Sequence, residues 1–211
     1  MKDFEKYLNE IKKMALEEGY DSLDETYVEH LKARYFGQDV VIGRSDRVTV
    51  REMKMSDLEA FYGFSDASSE AVLQTFLKET KEESKAHLQA YIENMYPLYD
   101  HGIWTVELND TKEVIGMCGV GIIEIDEADC TDLGYYICPK WRKQGIATEC
   151  IEIVLDYVKN YLEFGMIYAI IKEENRISKD ILRKFGFQFM KTSVKSGDFV
   201  SVYKKSFKEQ Q

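Results

Sequence analysis

Apolar residues recur along the 211-residue chain with two different periods, and each period predicts one kind of element. A spacing of three or four residues is typical of a helix that buries one face. Alternation, or an unbroken apolar run of five to eight residues, is typical of a strand. The helical pattern covers residues 3–18, 24–35, 82–96 and 146–162, a short stretch ending at Phe61, and the stretch from Asn175 to Gly186. The strand pattern covers residues 47–52, 102–108, 114–125, 133–137, 166–171, 187–194 and 200–207.

The order of these elements predicts an α/β fold in which helices flank a mixed sheet. The first two helices precede every predicted strand and are separated by Gly19, so they form a helical hairpin. We therefore predict an N-terminal helical extension over residues 1–46 and a main domain over residues 47–211. Packing against that domain or against a second subunit is the simplest use for the apolar faces of the hairpin.

The stretch from Asp132 to Leu162 combines a strand, a proline break, a basic glycine turn and a helix. Such a turn exposes backbone N–H groups at the positive end of the helix dipole. Gly145 lets an anion approach the backbone because it has no Cβ atom, and Arg142 and Lys143 add positive charge. The turn is therefore a candidate site for a phosphate or pyrophosphate group. The alternative is an ordinary basic connection, since short glycine motifs also arise by chance.

A second glycine motif, Gly116-x-x-Gly119-x-Gly121, has the spacing of a phosphate loop but the wrong context. No helix follows it, because Ile122 and Ile123 continue the strand. Glycines inside a strand more often mark a bulge or the close approach of another backbone, and we interpret them in this way.

Two motifs together resemble the GNAT acetyltransferase family. Residues 142–147, RKQGIA, are similar to the acyl-CoA loop of that family. Residues 175–187, NRISKDILRKFGF, are most similar to the Rim-type branch, which acetylates the N-termini of ribosomal proteins. The resemblance covers about residues 48–207 and implies a GNAT-type sheet that is mostly antiparallel.

The resemblance also implies a binding site for acetyl-CoA at the glycine turn and the second motif. A backbone N–H on the strand containing Tyr136, Ile137 and Cys138 is expected to stabilise the oxyanion of the reaction intermediate, and the backbone groups of this strand are expected to hold the pantetheine arm. The residues expected to bind the cosubstrate are Ile137, Cys138, Arg142, Lys143, Gln144, Gly145, Ile146, Ala147, Thr148, Asn175 and Ser178.

Transfer of an acetyl group from a thioester to an amine requires a neutral amine and a proton for the departing thiolate. Asp132 is the first candidate base, because this branch often carries an acidic residue there, and Glu124 on the preceding strand is the second. A solvated charge at a strand end is the competing interpretation of both. Leu182 stands where many relatives have a tyrosine acid, so Ser178 is the substitute candidate. The nearby tyrosines are further alternatives: Tyr135, Tyr136 and Tyr168.

Composition restricts the partners and the compartment. A net charge of −10 disfavours nucleic acid as a partner, because phosphate backbones require a basic surface, and it favours cationic amines. The absence of an apolar run of roughly 20 residues and of a signal-peptide core predicts a cytoplasmic protein without a membrane partner. The spacings typical of zinc sites are also missing, so we expect no metal and no disulfide. The cysteines concerned are Cys118, Cys130, Cys138 and Cys150.

These observations predict an acetyl-CoA-dependent N-acetyltransferase, a monomer or homodimer, that transfers the acetyl group directly to a primary amine. A small cationic amine is favoured over a protein N-terminus, because acidic residues are frequent in the usual acceptor-side segment of the family. They are Glu70, Glu79, Glu82, Glu83, Glu93 and Asp100. A catalytically idle acyl-CoA-binding sensor and a module for another phosphate ligand are the alternative functions.

Overall fold

A sheet lies at the centre of the protein, in a computed structural model that describes residues 2–64, 71–195 and 197–207. In this part of the chain the sheet has eight strands in the order β1-β2-β3-β4-β5-β6-β8-β7. The strands are β1 (Val41–Arg44), β2 (Val48–Arg51), β3 (Ile103–Leu108), β4 (Val114–Ile125), β5 (Ala128–Ile137), β6 (Met166–Lys172), β7 (Gln188–Lys195) and β8 (Asp198–Ser206). The helices are α1 (Lys2–Glu17), α2 (Glu25–Tyr35), α3 (Leu58–Tyr62), α4 (Ala71–Phe76), α5 (Lys81–Tyr99), α6 (Ile146–Asn160) and α7 (Arg176–Lys184).

Neighbouring strands run antiparallel except for β5 and β6, which are parallel. The Cα pair that joins these two parallel strands in the described residues is Asp132 with Tyr168. Beyond this pair no further residues of the two strands are matched in the described part of the chain, which leaves a gap in the ladder between their C-terminal halves. The predicted α/β class, with a mostly antiparallel sheet and N-terminal helices, is confirmed.

The two faces of the sheet are covered by different helices. On one face Trp104 of β3 packs against Tyr157 of α6, with ring centroids 5.3 Å apart. On the other face Tyr136 of β5 packs against Phe64, which follows α3, at 5.3 Å. Both interfaces belong to one continuous core of buried apolar side chains. The strands that border the gap between β5 and β6 are therefore packed on both faces of the sheet.

The glycines of β4 allow other backbones to approach closely. A Cβ atom on Gly116 would lie 2.2 Å from the carbonyl oxygen of Tyr136, and one on Gly119 would lie 2.2 Å from that of Gly102. Any larger residue would push the strands apart. The interpretation of this motif as close backbone packing, not as a phosphate loop, agrees with the structure.

The N-terminal hairpin packs on the main domain through buried polar groups. His30 Nδ1 lies 2.8 Å from Asp100 Oδ2, and Arg34 Nε donates to Glu52 Oε1 at 3.1 Å. Asp100 also contacts α6, because the Tyr157 hydroxyl donates to its carbonyl oxygen at 2.9 Å. None of the helices in the described ranges is long and apolar enough to cross a membrane.

Some elements differ from the sequence-based expectation, including α4, which the sequence did not predict. The helix expected to close at Pro97 continues to Tyr99, because a proline in the last turn removes a single hydrogen bond and Asp100, in the left-handed conformation, ends the helix. Strand β1 was not predicted. It is only four residues long and includes Gly43, where a Cβ would lie 2.6 Å from Ile153 Cγ2. Strand β5 begins at Ala128, in a polar segment without strand periodicity.

Candidate active site

The basic glycine turn has the conformation that its sequence predicts. Gly145 lies at the start of α6 with φ of 82°, in the left-handed region that favours glycine. A short 3₁₀ turn, Pro139–Trp141, leads into it from β5. Arg142 holds the connection, because its Nε donates to the Ile137 carbonyl oxygen at 2.7 Å and its guanidinium lies 5.1 Å from the centre of the Tyr136 ring. The free N–H groups at the start of α6 therefore point out of a fixed turn.

A cleft of about 340 Å³ opens between this turn, the C-terminal end of β5 and the start of α7. Most of the residues predicted to bind a cosubstrate line it, which brings two distant motifs to one place. The predicted residues in the lining are Ile137, Arg142, Lys143, Gly145, Ile146, Ala147, Thr148, Asn175 and Ser178. Cys138 and Gln144 were also predicted, and they adjoin this lining without being part of it.

The backbone of β5 presents a hydrogen-bond donor to the gap. The N–H of Cys138 donates to the Ile115 carbonyl oxygen at 2.8 Å, so it points towards β4. Successive N–H groups of a strand point to opposite sides, and the N–H of Ile137 therefore points away from β4, towards the gap left by β6. Of the backbone groups considered for the oxyanion, that of Ile137 has a suitable direction and that of Cys138 is already bonded.

The start of α7 forms the opposite wall of the cleft. Asn175 caps this helix, since its Oδ1 accepts from the Ser178 N–H at 3.1 Å. Ser178 and Asn175 thus lie beside the turn of α6, and two helix N-termini border one cleft. Leu182, at the position of the tyrosine acid in many relatives, is completely buried. Tyr135 and Tyr136 also line the cleft, whereas Tyr168 is absent from its lining.

Asp132 lies where the gap begins. Burial raises the pKa of its carboxyl group to about 6, although the charge of Lys195 acts in the opposite direction. The facing residue of β4 is Gly121, and a Cβ there would lie 3.1 Å from Asp132 Oδ1, so the glycine leaves room for the carboxylate. A carboxyl group with a pKa near neutrality can accept and release protons under physiological conditions.

Glu124 is not close to Asp132. It pairs with Asp129, and Asp132 pairs with Gly121, three residues earlier on β4. Since side chains alternate between the faces of a sheet, an odd separation places Glu124 on the opposite face from Asp132. Its side chain is exposed. The structure thus separates the two candidate bases.

The acidic residues expected near the acceptor do not converge on the gap. Glu79, Glu82, Glu83 and Glu93 are exposed on α5 or just before it, and Glu70 lies outside the described residues. Asp100 is buried, and its contacts are with His30, Arg34, Tyr157 of α6 and Tyr161, which follows α6. Its role is to join the hairpin to the domain, because all of its polar contacts are internal.

Several residues of the cleft were not identified from the sequence. Trp141, Ile177 and Ile181 line it with apolar surface, and Trp141 is anchored through its Nε1, which donates to Glu113 Oε1 at 3.2 Å. Ile177 and Ile181 belong to the second motif, which gave them no role, and Trp141 precedes the glycine turn; the fold brings the three together. Among the described residues no group of His, Cys, Asp and Glu side chains is arranged to hold a metal ion.

Comparison with known proteins agrees with this geometry. Residues 47–188 match the family described as "Acetyltransferase (GNAT) domain". The chain belongs to the GNAT acetyltransferase family. A Bacillus subtilis relative named YoaA, described as an uncharacterized N-acetyltransferase, is 31% identical over 147 residues, which is 68% of this chain and 81% of the relative. The GNAT family uses acetyl-CoA, and this chain is an acetyltransferase of that family.

Two solved structures share the fold. An acetyltransferase from Agrobacterium tumefaciens has a TM-score of 0.62 and 20% identity, with 77% of this chain and 92% of the other covered. RimL, a ribosomal L7/L12 alpha-N-protein acetyltransferase in complex with coenzyme A, has a TM-score of 0.61 and 18% identity, with 79% and 97% covered. At these identities the similarity describes the fold alone.

Proposed function

We propose that the protein transfers the acetyl group of acetyl-CoA directly to a primary amine, without an acetylated enzyme intermediate. The observation that carries this proposal is the cleft between β5 and α7, where two helix N-termini and the inward N–H of Ile137 meet. The helix N-termini suit the pyrophosphate of coenzyme A, and the strand N–H suits the thioester oxygen.

In this proposal the proton that the amine must lose reaches Asp132 through intervening water, because five residues of extended strand, about 17 Å, separate Asp132 from Ile137. The raised pKa of Asp132 leaves it mainly ionised at pH 7, yet basic enough to take up a proton during the reaction. The amine attacks the thioester carbonyl, the N–H of Ile137 stabilises the oxyanion, and the carbon–sulfur bond then breaks. The thiolate of coenzyme A receives a proton through the hydroxyl of Ser178, which takes up another from water, and Asp132 releases its proton to solvent. Tyr135 is the alternative donor.

The acceptor is a primary amine, carried either by a small cationic molecule or by a protein N-terminus. The electrostatic reason for a small cationic amine has weakened, because the acidic residues of α5 are dispersed over the surface. RimL, which shares the fold, acts on a protein N-terminus, and this supports an α-amine as the second possibility. An α-amine also requires less help from a base, since its ordinary pKa is about 8 against about 10.4 for a lysine-type amine.

Release of free coenzyme A thiol in steady state tests the proposal. Spermidine, an aminoglycoside and peptides that begin with Ser or Ala are compared at saturating acetyl-CoA, and kcat/KM ranks the acceptors. Turnover of any of these amines that is lost in Asp132→Asn supports the proposed reaction. Tight binding of coenzyme A without turnover of any amine would instead support the idle sensor, for which the buried Leu182 in place of a tyrosine is the structural argument.

A further inference from the structure

Arg47, which lies between β1 and β2, reaches the back of the glycine turn. Its Nη2 donates to the carbonyl oxygen of Gln144 at 2.8 Å. The same nitrogen lies 3.4 Å from the position that a Cβ on Gly145 would occupy. About half of the side chain is exposed, at 46%, so the guanidinium is not there to fill the core. It contacts the turn without being part of the cleft lining.

This contact fixes the direction of the neighbouring N–H group. In a trans peptide the carbonyl oxygen and the following N–H point in opposite directions. By holding the oxygen of Gln144, Arg47 keeps the N–H of Gly145 pointing away from the guanidinium, and Gly145 lines the cleft whereas Arg47 does not. Gly145 has left-handed dihedrals and no side chain, so without such a contact this peptide could rotate at little steric cost.

Glu149, in the first turn of α6, holds Arg47 in place. Arg47 Nε donates to Glu149 Oε1 at 2.8 Å, and Ser45 Oγ donates to Glu149 Oε2 at 2.6 Å. Burial alone would raise the pKa of Glu149, but the hydrogen bonds from Arg47 and Ser45 lower it, so the carboxylate stays charged. The Glu149 N–H donates to the Gly145 carbonyl oxygen at 3.2 Å, which links the same side chain to the turn.

The segment that carries Arg47 is itself anchored to the sheet. Asn109, in the turn after β3, donates through Nδ2 to the Ser45 carbonyl oxygen at 2.9 Å. Its Oδ1 accepts from Thr49 Oγ1 at 2.7 Å. Ser45 Oγ accepts from the Val48 N–H at 3.1 Å. Arg47 therefore connects the glycine turn to a rigid part of the domain that lies far from it in sequence.

We propose that Arg47 is a positioning residue for the cosubstrate site. It orients the Gly145 N–H towards the pyrophosphate of acetyl-CoA, and Glu149 keeps the guanidinium behind the turn, away from the phosphates. Arg47 does not touch the reacting atoms, so its effect is on binding and not on the chemical step. This inference rests on the proposed use of acetyl-CoA.

The test compares Arg47→Ala with Arg44→Ala. Arg44 is an exposed residue at the end of β1, so its variant makes the same change in charge close by. Steady-state rates are measured with acetyl-CoA and with S-acetylpantetheine, which has the same thioester but lacks the pyrophosphate. Thermal melting of each variant reports whether the fold is retained.

We expect Arg47→Ala to raise the KM for acetyl-CoA by roughly tenfold and to leave kcat within about twofold. The KM for S-acetylpantetheine should stay unchanged, and Arg44→Ala should behave as the wild type with both substrates. Arg47→Lys keeps the charge and a donor for the Gln144 oxygen but cannot bridge to Glu149 with a planar fork, so it should recover the KM in part.

An unchanged KM for acetyl-CoA in folded Arg47→Ala would overturn the inference. So would an equal loss with S-acetylpantetheine, which would make Arg47 a general support of the fold, or an equal loss in Arg44→Ala, which would make charge the cause. If Arg47→Ala fails to fold, the KM values of Arg47→Lys for acetyl-CoA and S-acetylpantetheine are used instead. An unchanged KM for acetyl-CoA would then overturn the inference. A wild-type protein that neither binds nor uses acetyl-CoA would overturn the proposed function itself, a result that the Arg47 variants cannot produce.

Discussion

Asp132 of β5 faces Tyr168 of β6 at the point where these parallel strands pair and then separate. The pairing holds the candidate base at the mouth of the gap, and the separation leaves the N–H of Ile137 without a neighbouring strand. The candidate base and the candidate oxyanion donor thus lie on one strand, five residues apart in sequence. Their spacing is set by the backbone of β5 and does not depend on loop conformation.

The first prediction concerns Asp132 as the base. Asp132→Asn should lower kcat by roughly 10² to 10³ and change the KM for acetyl-CoA little, because general base catalysis contributes in this range. In the wild type, kcat/KM should rise with pH as the Asp132 carboxyl group ionises, with a midpoint at its pKa of about 6. Above that pH the ionisation of Asp132 should cause no further increase. In Asp132→Asn, kcat/KM should no longer show this increase with pH. Glu124→Gln, on the opposite face, serves as the control and should retain full activity; if it loses activity instead, Glu124 is the base.

Asp132 should also reduce the stability of the folded protein. Its folded pKa is raised above the ordinary value, so the folded state binds the extra proton and stability falls as pH rises from about 4 to about 6. At pH 7 Asp132→Asn should therefore increase the free energy of unfolding, by about 1 kcal/mol after allowance for the partial exposure of the group. Urea unfolding at pH 4 and pH 7 measures this. If Asp132→Asn is less stable than the wild type at pH 7, the buried charge of Asp132 does not destabilise the folded protein.

The glycine turn gives a prediction about cosubstrate affinity. Gly145→Glu places a side chain and a negative charge at the start of α6, where φ is 82° and the pyrophosphate is expected. The affinity for acetyl-CoA should fall at least tenfold, about 1.4 kcal/mol, in calorimetric titration. Gly19→Glu is the matched control, because Gly19 has φ of 93° and open space around it, so it carries the same backbone cost elsewhere. If Gly145→Glu and Gly19→Glu bind acetyl-CoA with equal affinity, the glycine turn is not part of the cosubstrate site.

The two polar residues at the start of α7 should have separable effects. Asn175→Ala removes the cap of the helix and should cost about 1 kcal/mol of stability, together with weaker binding of acetyl-CoA. Ser178→Ala leaves that cap intact, because the cap uses the backbone N–H of Ser178. If Ser178 supplies the proton to the thiolate, its variant should lower kcat without changing the melting temperature. Full activity in folded Ser178→Ala would direct attention to Tyr135.

The ion pairs of the hairpin lead to a prediction about stability. Arg34→Ala removes the guanidinium shared by Glu52 and Asp100 and leaves two buried carboxylates without it, which should cost about 3 kcal/mol. Lys13→Ala removes an exposed pair with Glu17 and should change the stability by less than about 0.5 kcal/mol. Denaturant unfolding of both variants at pH 7 measures the difference. Equal stabilities would mean that the hairpin is held by its apolar contacts alone.

The same network predicts an acid limit. Burial alone would raise the pKa of Asp100, but the hydrogen bonds from His30 and Tyr161 and the charge of Arg34 lower it below its ordinary value. A carboxyl group with a depressed folded pKa adds stability above its unfolded pKa, and that stability is lost as pH falls below about 4. The wild type should therefore lose stability in this window, and Asp100→Asn should lose less.

Local patterns predicted most of the fold. The apolar face of α6 and the unbroken run of β6 specify one element each, and both were found within about two residues of their predicted ends. The short strand β1 could not be predicted, since its pairing with β2 and the contact of Gly43 with Ile153 come from tertiary packing. The glycine turn was predictable because its chemistry lies in consecutive residues. Arg47 was not, because its contact with Gln144 spans 97 residues of sequence.

Asp100, which ends α5, binds His30 of α2 and Tyr157 of α6 at once, and these contacts determine how the molecule opens. Helix α2 cannot leave the surface without breaking contacts of α6, and α6 begins at the glycine turn. Hydrogen exchange at the amides of α2 should therefore occur with the slow, global rate of α6 and not with the rapid rate of a fraying terminus. The N-terminal helices and the cosubstrate turn are, in this sense, one cooperative unit, and proteases should cut the chain before α2 more readily than between α2 and β1.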